Sequence, residues 1–361
     1  MSHVFTLVLA GGSGTRFWPA SRKDRPKQVL GMGPDTSLPL IGHTLRRVAP
    51  LCPESQMIVA TGEALVEVTR QALPQLGPES FIAEPVAKNT APCIAWAAQL
   101  IARRDPEAVV MVLPSDSHIG DEPEYRRILA LALESAAAGT ITTVGIEPTR
   151  PETGYGYIEA ERALAPGVLA VNRFEEKPDL ATAEKYVKSG KHYWNSGMFF
   201  FRAADMLRAV EQHLPAVHQL LQLIAAGAAA GPEAELEATR RAFASMPSIS
   251  IDKGIMEKIS PLAVVPGSFG WSDLGSWHTV WELGQRDHAD NVGPDDSLFI
   301  DAHRNLIEDL RKKKTVRTIA LLGISDLCVV ETDDAVLIMP RDRAQDVRLI
   351  VDELTRRGGP V

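Results

Sequence analysis

The chain has 361 residues, of which 45% are hydrophobic and 23% charged, with 38 basic against 46 acidic side chains and a formal net charge of −8. This composition is typical of a globular protein and excludes collagen-like, coiled-coil and disordered chains, while the acidic balance argues against non-specific nucleic-acid binding, which depends on neutralised phosphates. No apolar run approaches the ~20 residues of a membrane helix, and three scattered cysteines without a disulfide pattern predict a reducing, cytoplasmic location.

The first 150 residues alternate strand and helix patterns. Short apolar runs predict buried strands, and apolar residues at helical spacing predict helices between them. The predicted strands are Val4–Ala10, Gln56–Ala60, Ala108–Leu113 and Thr140–Ile146, and the predicted helices are Ala91–Arg103 and Tyr125–Ala138. This alternation indicates a parallel sheet with helices on both faces, in which ligands bind at the carboxyl ends of the strands.

The rest of the chain is more mixed. Further strands are predicted over Tyr155–Ala160, Val168–Phe174, Gly197–Arg202 and Ser248–Ile251, and a helix over Leu207–Ile224 that Pro215 interrupts. The Gly-, Pro- and Asp-rich stretch Gly284–Asp296 predicts a boundary between a domain of residues 1–285 and one of residues 286–361. The second domain should be small and β-rich, with strands and a last helix predicted over Leu298–Ile300, Thr318–Leu322, Cys328–Glu331, Ala335–Met339 and Arg343–Arg356.

A glycine-rich segment, Gly11-Gly12-Ser13-Gly14-Thr15-Arg16, follows the first strand directly. Glycines there let the backbone approach a ligand and direct N–H groups at it, and a phosphate is the expected guest. The third glycine of a dinucleotide fingerprint is missing, which argues against a nicotinamide dehydrogenase, and the segment is not a Walker A loop. Instead Arg16 and Lys27 supply two cations that suit a polyphosphate. The alternative is a tight turn with surface cations, and we expect Lys27 to be solvated.

Two aspartates are candidate metal ligands. Asp116 comes just after the predicted strand Ala108–Leu113, and Asp273 lies 157 residues further on, between Trp271 and Trp277. Mg²⁺ usually takes one or two carboxylates together with phosphate oxygens, so this pair would suffice. Taken singly, Asp116 could be a turn or helix-cap residue, and the tryptophans could belong to the core.

Two further segments carry polar groups with competing interpretations. Glu176 and Lys177 precede a proline, where they supply an acceptor and a cation for a ligand, or the pair could form a solvated turn. Asn89 and Thr90 begin a helix, and taken alone they could simply cap it. His118 has no nucleophile partner nearby in its motif, so we interpret it as structural.

Seven segments, in order, resemble the sugar-nucleotide pyrophosphorylases, and within them the mannose-1-phosphate guanylyltransferases. The segments are Gly11–Pro19 with Pro26–Gln28, Ala83–Pro92, Leu113–His118, Thr153–Ile158, Phe174–Pro178, Trp194–Phe199 and Gly270–Trp277. The resemblance implies an α/β, Rossmann-like nucleotidyltransferase domain with a mixed, mainly parallel sheet, followed by a small β-rich C-terminal domain. The implied reaction is GTP plus α-D-mannose 1-phosphate giving GDP-mannose and diphosphate, by in-line attack of the sugar phosphate on the GTP α-phosphate.

The resemblance also implies roles for individual residues. Catalytic roles fall to Arg16, Lys27, Asp116 and Asp273, the two aspartates binding Mg²⁺. The implied nucleotide-binding residues are Leu9, Gly11, Gly12, Gly14, Thr15, Asn89, Thr90 and Ser115, and the implied sugar-phosphate residues are Gly156, Glu176, Lys177 and Asn195. No nucleic-acid or membrane partner is expected, and the oligomeric state stays open, with a homodimer as one option.

Two alternatives and two departures accompany this resemblance. The chain could be a sibling enzyme with another base or sugar, such as a glucose-1-phosphate thymidylyltransferase, or a non-catalytic paralogue that senses sugar nucleotides. Lys253-Gly254 stands where the family usually has Tyr-Ala. About 65 residues follow Ser297, too few for the cupin-like isomerase domain of longer relatives, so we expect a monofunctional enzyme.

Overall fold

A computed structural model describes residues 3–12, 14–312, 317–359 and 361, which form two compact units. Of the described residues, unit 1 takes those within Met1–Gly11, Thr44–Ser115 and Ile119–Trp271, and unit 2 takes those within Gly12–His43, Asp116–His118 and Ser272–Val361. No helix in the described ranges has the length and hydropathy that a membrane crossing requires.

Unit 1 is built on a single mixed sheet. Its strands are β1 (Val4–Leu9), β2 (Met57–Gly62), β3 (Phe81–Glu84), β4 (Val109–Pro114), β5 (Ile141–Ile146), β6 (Gly156–Ala165), β7 (Val168–Glu176), β8 (His192–Arg202) and β9 (Leu262–Gly267). Their order across the sheet is β3-β2-β1-β4-β8-β5-β9-β7-β6, and β6 also pairs with β8. Strands β3, β2, β1 and β4 are parallel, as are β5 and β9, whereas β8 runs antiparallel to β4 and β5. The expected mixed α/β sheet is thus confirmed.

Helices pack against the sheet or against one another because their apolar faces need burial. They are α1 (Leu40–Val48), which contains the change from unit 2 to unit 1, then α2 (Val66–Ala72), α3 (Thr90–Arg104), α4 (Glu122–Ala137), α5 (Leu180–Ser189), α6 (Ala203–His213), α7 (Pro215–Ala230) and α8 (Pro232–Ser245). The central strands are apolar on both faces, as expected of parallel strands covered on two sides. Their side chains share a core with α3, including Phe5, Leu7, Ile94, Ile101, Val110 and Val112.

Unit 2 is small, rich in short strands, and has its own core. Its elements are α9 (Trp277–Leu283), β10 (Leu298–Ile300), β11 (Leu306–Asp309), β12 (Ala320–Leu322), β13 (Leu327–Glu331), β14 (Val336–Pro340) and α10 (Val347–Arg357). Strand β10 pairs with β12, and β13 lies between β11 and β14. Phe17 and Trp18 from the start of the chain share a core with Trp277 of α9 and Val347 of α10. The expected β-rich C-terminal part is confirmed.

The strand predicted over Ser248–Ile251 is wrong. Ile249 exchanges main-chain hydrogen bonds with Lys88 and Ala91, and Ile251 then begins a π-helical turn over Asp252–Met256. The apolar alternation that suggested a strand reflects a segment packed against the entry to α3. Strands β3, β9 and β11 and helices α1, α2, α5, α8 and α9 were not predicted. The interruption at Pro215 is confirmed, since α6 ends at His213 and α7 begins at Pro215.

Candidate functional site

The glycine-rich segment contains glycines of two kinds. Gly14 has φ +62°, and a Cβ placed there would lie 2.6 Å from Cβ and 2.9 Å from the main-chain N of Lys27, so only glycine fits. Gly11 and Gly12 are exposed, and nothing lies within 4 Å of a Cβ at either position. Gly14 therefore shapes the loop against Lys27, while Gly11 and Gly12 leave their backbone open to a ligand. Ser13 lies outside the described residues.

Lys27 is the centre of the polar cluster in unit 2. Its ammonium lies 3.0 Å from Oδ2 of Asp116, donates a 2.8 Å hydrogen bond to the main-chain O of Asp273, and lies 5.1 Å from the ring centroid of Phe17. Only 5% of Lys27 is exposed. The expectation of a solvated lysine is therefore wrong, because a carboxylate and a carbonyl partner compensate for its burial.

A short main-chain pairing brings the two aspartates to Lys27. His118 N donates to Ser272 O at 2.8 Å, and Ser272 N donates to His118 O at 3.1 Å, which forms an isolated antiparallel bridge. Since Asp116 and Asp273 flank this bridge on the two paired segments, both reach the same ammonium. The main chain of His118 thus has the structural role that its sequence context suggested.

Asp116 and Asp273 offer oxygen ligands only. The carboxylate of Asp273 lies over Gly275, where a Cβ would come within 2.8 Å of its Oδ2, and the Asp116 side chain is 37% exposed. Within the described part of the chain, no three His, Cys, Asp or Glu side chains come together as a metal cluster. A cation held by these two carboxylates would need further oxygens from water or a phosphate, which is the coordination that Mg²⁺ favours. The residues present therefore fit Mg²⁺.

Arg16 lies in the same unit, in the helical turn Thr15–Phe17. Its Nη1 donates to the main-chain O of Gly275 at 3.3 Å and to Oε1 of Gln345 at 3.1 Å. Both Thr15 and Arg16 are exposed, so the guanidinium is held at one end and is accessible to solvent.

The four sugar-phosphate candidates form a second cluster, in unit 1. Gly156 of β6 lies opposite Glu176 of β7, and a Cβ on Gly156 would lie 2.6 Å from Oε2 of Glu176 and 3.3 Å from Cβ of Asn195. Lys177 forms an ion pair with Glu176 and has φ +54°, its N donating to Tyr155 O at 3.3 Å. The sheet therefore brings together residues that lie far apart in the chain.

Two acidic residues of this cluster were missed by the sequence analysis. Oδ1 of Asp252 accepts a 2.9 Å hydrogen bond from Nδ2 of Asn195, and Oε1 of Glu257 accepts a 3.1 Å bond from the main-chain N of Glu176. The π-helical turn explains the spacing, because Glu257 N donates to Asp252 O and thereby aligns residues five apart. No sequence pattern marks a π-helical turn, so no local signal pointed to these two acids.

The Lys253-Gly254 departure lies within this turn but concerns packing. Lys253 is exposed. Gly254 is buried, and a Cβ there would lie 3.1 Å from Cδ1 of Leu214 and 3.5 Å from Cδ1 of Ile249. Gly254 therefore accommodates core side chains, and the neighbouring Asp252 and Glu257 keep their contacts with the cluster.

Burial raises the pKa of Asp252 to about 6, and the nearby Glu176 carboxylate adds to this shift. Because the folded protein holds this proton more tightly than the unfolded chain, stability should fall as pH rises from about 4 to about 6 and then level off. We expect Asp252→Asn, which removes the charge, to exceed the wild type in free energy of unfolding by up to about 3 kcal/mol above pH 6 and to match it near pH 3.

Denaturant unfolding of both proteins across pH 3–8 measures this difference, with the exposed Asp295→Asn as the charge-matched control. If the difference in free energy of unfolding between wild type and Asp252→Asn stays constant with pH, the raised pKa of Asp252 is contradicted.

The remaining nucleotide candidates of unit 1 lie at the carboxyl edge of the sheet or at the start of α3. Leu9 at the end of β1 is opposite Pro114 at the end of β4, which places Leu9 and the buried Ser115 at the same edge. Oδ1 of Asn89 accepts from Thr90 N at 2.8 Å, as a helix cap would. Oγ1 of Thr90 accepts from Ile251 N at 2.8 Å, which ties this helix start to the segment leading into Asp252.

Comparison with known proteins adds independent observations. A family model described as nucleotidyl transferase matches residues 5–290, and one described as the MannoseP isomerase/GMP-like beta-helix domain matches residues 296–354. The chain is 40% identical to xanthan biosynthesis protein XanB of Xanthomonas campestris pv. campestris, over 99% of this chain and 74% of that protein. It is 37% identical to mannose-1-phosphate guanylyltransferase RfbM of Salmonella typhimurium, over 97% of this chain and 72% of that protein.

A solved structure from Thermus thermophilus, described as a mannose-1-phosphate geranyltransferase, is also similar. Its TM-score to this chain is 0.86 at 34% identity, and the match covers 98% of this chain and 99% of that one. The similarity therefore extends over the β-rich C-terminal part as well as over the large sheet.

Proposed function

The chain belongs to the nucleotidyl transferase family, and from this membership we propose that it is a mannose-1-phosphate guanylyltransferase, converting GTP and α-D-mannose 1-phosphate into GDP-mannose and diphosphate. The observation that carries the proposal is the meeting of the Asp116 carboxylate and the Asp273 main chain at the buried ammonium of Lys27, with Arg16 in the same unit. The ammonium and the guanidinium can neutralise phosphate charge, and the two carboxylates can hold a metal ion.

In the proposed reaction, an oxygen of the sugar phosphate attacks the α-phosphorus of GTP in line. A new O–P bond forms as the bond from the α-phosphorus to the bridging oxygen breaks, and diphosphate leaves with that electron pair. The attacking phosphate is already ionised at pH 7, so no residue has to act as a general base. Catalysis then consists of positioning and of neutralising phosphate charge, which we assign to Arg16 and Lys27.

We propose that Asp116 and Asp273 hold Mg²⁺, which when bound would offset phosphate charge. Lys27 fixes the Asp116 carboxylate through their ion pair and fixes the Asp273 segment through its carbonyl. These contacts hold the Asp116 carboxylate and the main chain that carries the Asp273 carboxylate, so the lysine would act both by its charge and by placing its neighbours.

The proposed binding residues divide into a nucleotide group and a sugar-phosphate group. Gly11 and Gly12 offer open backbone to the nucleotide phosphates, and Gly14 sets the loop. The other proposed nucleotide-binding residues are Leu9, Thr15, Asn89, Thr90 and Ser115, and of these Asn89 and Thr90 are proposed to lie near the base and ribose. Gly156, Glu176 and Asn195 are proposed to bind the hexose and Lys177 its phosphate. The proposed catalytic part stays residues 1–285, with residues 286–361 as the small C-terminal part.

Substituting Glu176 or Asn195 by Ala should weaken mannose 1-phosphate binding and leave GTP binding within a few fold. Loss of one hydrogen bond involving a charged group costs about 1.5–3 kcal/mol, which corresponds to roughly 10- to 150-fold in Kd. Titration calorimetry with each ligand separately measures both affinities.

Glu175→Ala is the matched control, because Glu175 is the next residue on β7, where successive side chains point to opposite faces, and it accepts from Tyr186 Oη at 2.6 Å. A Glu176 or Asn195 variant that loses only GTP affinity would refute the sugar assignment.

Diphosphate release tests the proposed function itself. The wild type is offered GTP, ATP, UTP and dTTP, each with mannose 1-phosphate and with glucose 1-phosphate. GTP with mannose 1-phosphate should give the highest kcat/KM. A higher value for dTTP with glucose 1-phosphate would indicate the sibling enzyme, and no release with any pair would indicate a non-catalytic sugar-nucleotide sensor.

A further inference from the structure

The C-terminal end of unit 2 packs against the loop that carries Arg16. A helical turn over Arg341–Asp346 leads into α10, and Ala344 and Val347 are 2% and 1% exposed in the core that also contains Phe17 and Trp18. Phe17 follows Arg16 directly in the chain. A residue of the C-terminal turn placed next to Ala344 is therefore held at a fixed position relative to Arg16.

Gln345 is that residue, and it contacts the guanidinium. Its Oε1 accepts a 3.1 Å hydrogen bond from Nη1 of Arg16, and the same Nη1 donates to the main-chain O of Gly275 at 3.3 Å. Gly275 comes two residues after Asp273. Arg16 thus donates to one acceptor in the C-terminal turn and to a second in the segment that contains Asp273, a candidate metal ligand.

Two other contacts tie the same loop to the C-terminal part. Nη2 of Arg22 pairs with the carboxylate of Asp334 at 2.9 Å, and Lys23 N donates to Val361 O at 3.1 Å. The loop around Arg16 is therefore supported by residues that come more than 300 positions later in the chain.

We propose that Gln345 is a positioning residue for Arg16, through which the C-terminal part tunes nucleotide binding; this rests on the proposed function, in which Arg16 binds phosphate. A guanidinium has five N–H donors, and bonds through Nη1 do not use those on Nη2 and Nε. A neutral amide oxygen is a weaker acceptor than a charged phosphate oxygen. Gln345 can therefore orient the guanidinium without competing with the nucleotide for its charge.

The test compares Gln345→Ala with Gln345→Glu. Gln345→Ala leaves Arg16 to be ordered by the nucleotide, which should raise the KM for GTP roughly 2- to 10-fold. Gln345→Glu places a carboxylate against Arg16, which should raise the KM for GTP above that of Gln345→Ala. Added salt should reduce the difference in KM between these two variants, because it screens the exposed ion pair. The KM for mannose 1-phosphate and the Tm should change little in both variants, as in the control Asp342→Ala, an exposed residue of the same turn.

The effect must also depend on Arg16. In an Arg16→Ala background, neither Gln345 substitution should change the KM for GTP further. Equal KM values for wild type and Gln345→Glu, or an unchanged effect in the Arg16→Ala background, would overturn the proposal. Failure of the proposed function is distinguishable, because the wild type would then release no diphosphate from GTP and mannose 1-phosphate. In that case the same Gln345 and Arg16 variants would be compared by their binding of a labelled nucleotide.

Discussion

Asp116→Asn and Asp273→Asn should each nearly abolish turnover and raise the Mg²⁺ concentration that the residual activity requires. Asparagine keeps the shape and volume of aspartate but removes the anion, so each variant loses one of the two carboxylates proposed to hold the ion. The two phosphates of the reaction repel each other as they approach, and weakened metal binding leaves that repulsion uncompensated. A titration of activity with Mg²⁺ in both variants measures midpoint and maximum together.

The structure further predicts that the two variants differ in stability. Lys27 bonds to the main chain of Asp273, which asparagine retains, so Asp273→Asn should unfold like the wild type. Lys27 pairs with the side chain of Asp116, so Asp116→Asn leaves a buried ammonium without its counter-charge and should lose about 1–3 kcal/mol.

The exposed Asp295→Asn controls for a change of net charge alone. A near-normal rate and an unchanged Mg²⁺ midpoint in Asp273→Asn would show that Asp273 is a structural residue and would contradict the proposed metal site.

Lys27→Ala should lower kcat by about 10²–10³, which is typical of removing one donor that stabilises charge in a transition state. Unlike an exposed lysine, it should also cost stability, because the Asp116 carboxylate and the Asp273 carbonyl lose their common donor. Lys27→Met keeps most of the stem that packs by Phe17, so it should lose as much turnover as Lys27→Ala but less stability.

Lys23→Ala provides the control, since Lys23 is an exposed lysine of the same loop. Steady-state kinetics and denaturant unfolding of the three variants separate charge from packing. Wild-type turnover in Lys27→Met would remove Lys27 from the reaction.

Local pattern was enough for the buried strands and for the break between two helices. Strands β1 and β4 were placed within about a residue because continuous apolar runs fit only a sheet that is covered on both faces. Pro215 ended one helix and began the next because proline lacks the N–H that a helix interior needs.

The clusters could not be derived from local pattern. Asp116 and Asp273 meet through one pairing of His118 with Ser272, a contact for which no periodicity exists, so only the resemblance to a family anticipated it. Lys27 was expected in solvent because lysines are rarely buried unless paired, and its partners lie far away in sequence.

Asp252 and Glu257 were overlooked for a different reason. Their turn is π-helical, a conformation without a sequence signature of its own, and it follows a segment that resembles a strand. Main-chain hydrogen bonds to Lys88 and Ala91, not side-chain preference, fix that segment.

The core shared by Phe17, Trp18, Trp277 and Val347 sets an order of events during synthesis. A ribosome releases the chain from its N-terminus, so the loop after β1 emerges long before α9 and α10 exist. Until those helices appear, two large aromatic side chains have no completed core, and the Arg16 turn lacks the surface that supports it. The loop proposed to bind phosphate is therefore among the first segments to be translated and among the last to acquire its final shape, and a nascent chain short of α10 cannot yet present Arg16 as the finished protein does.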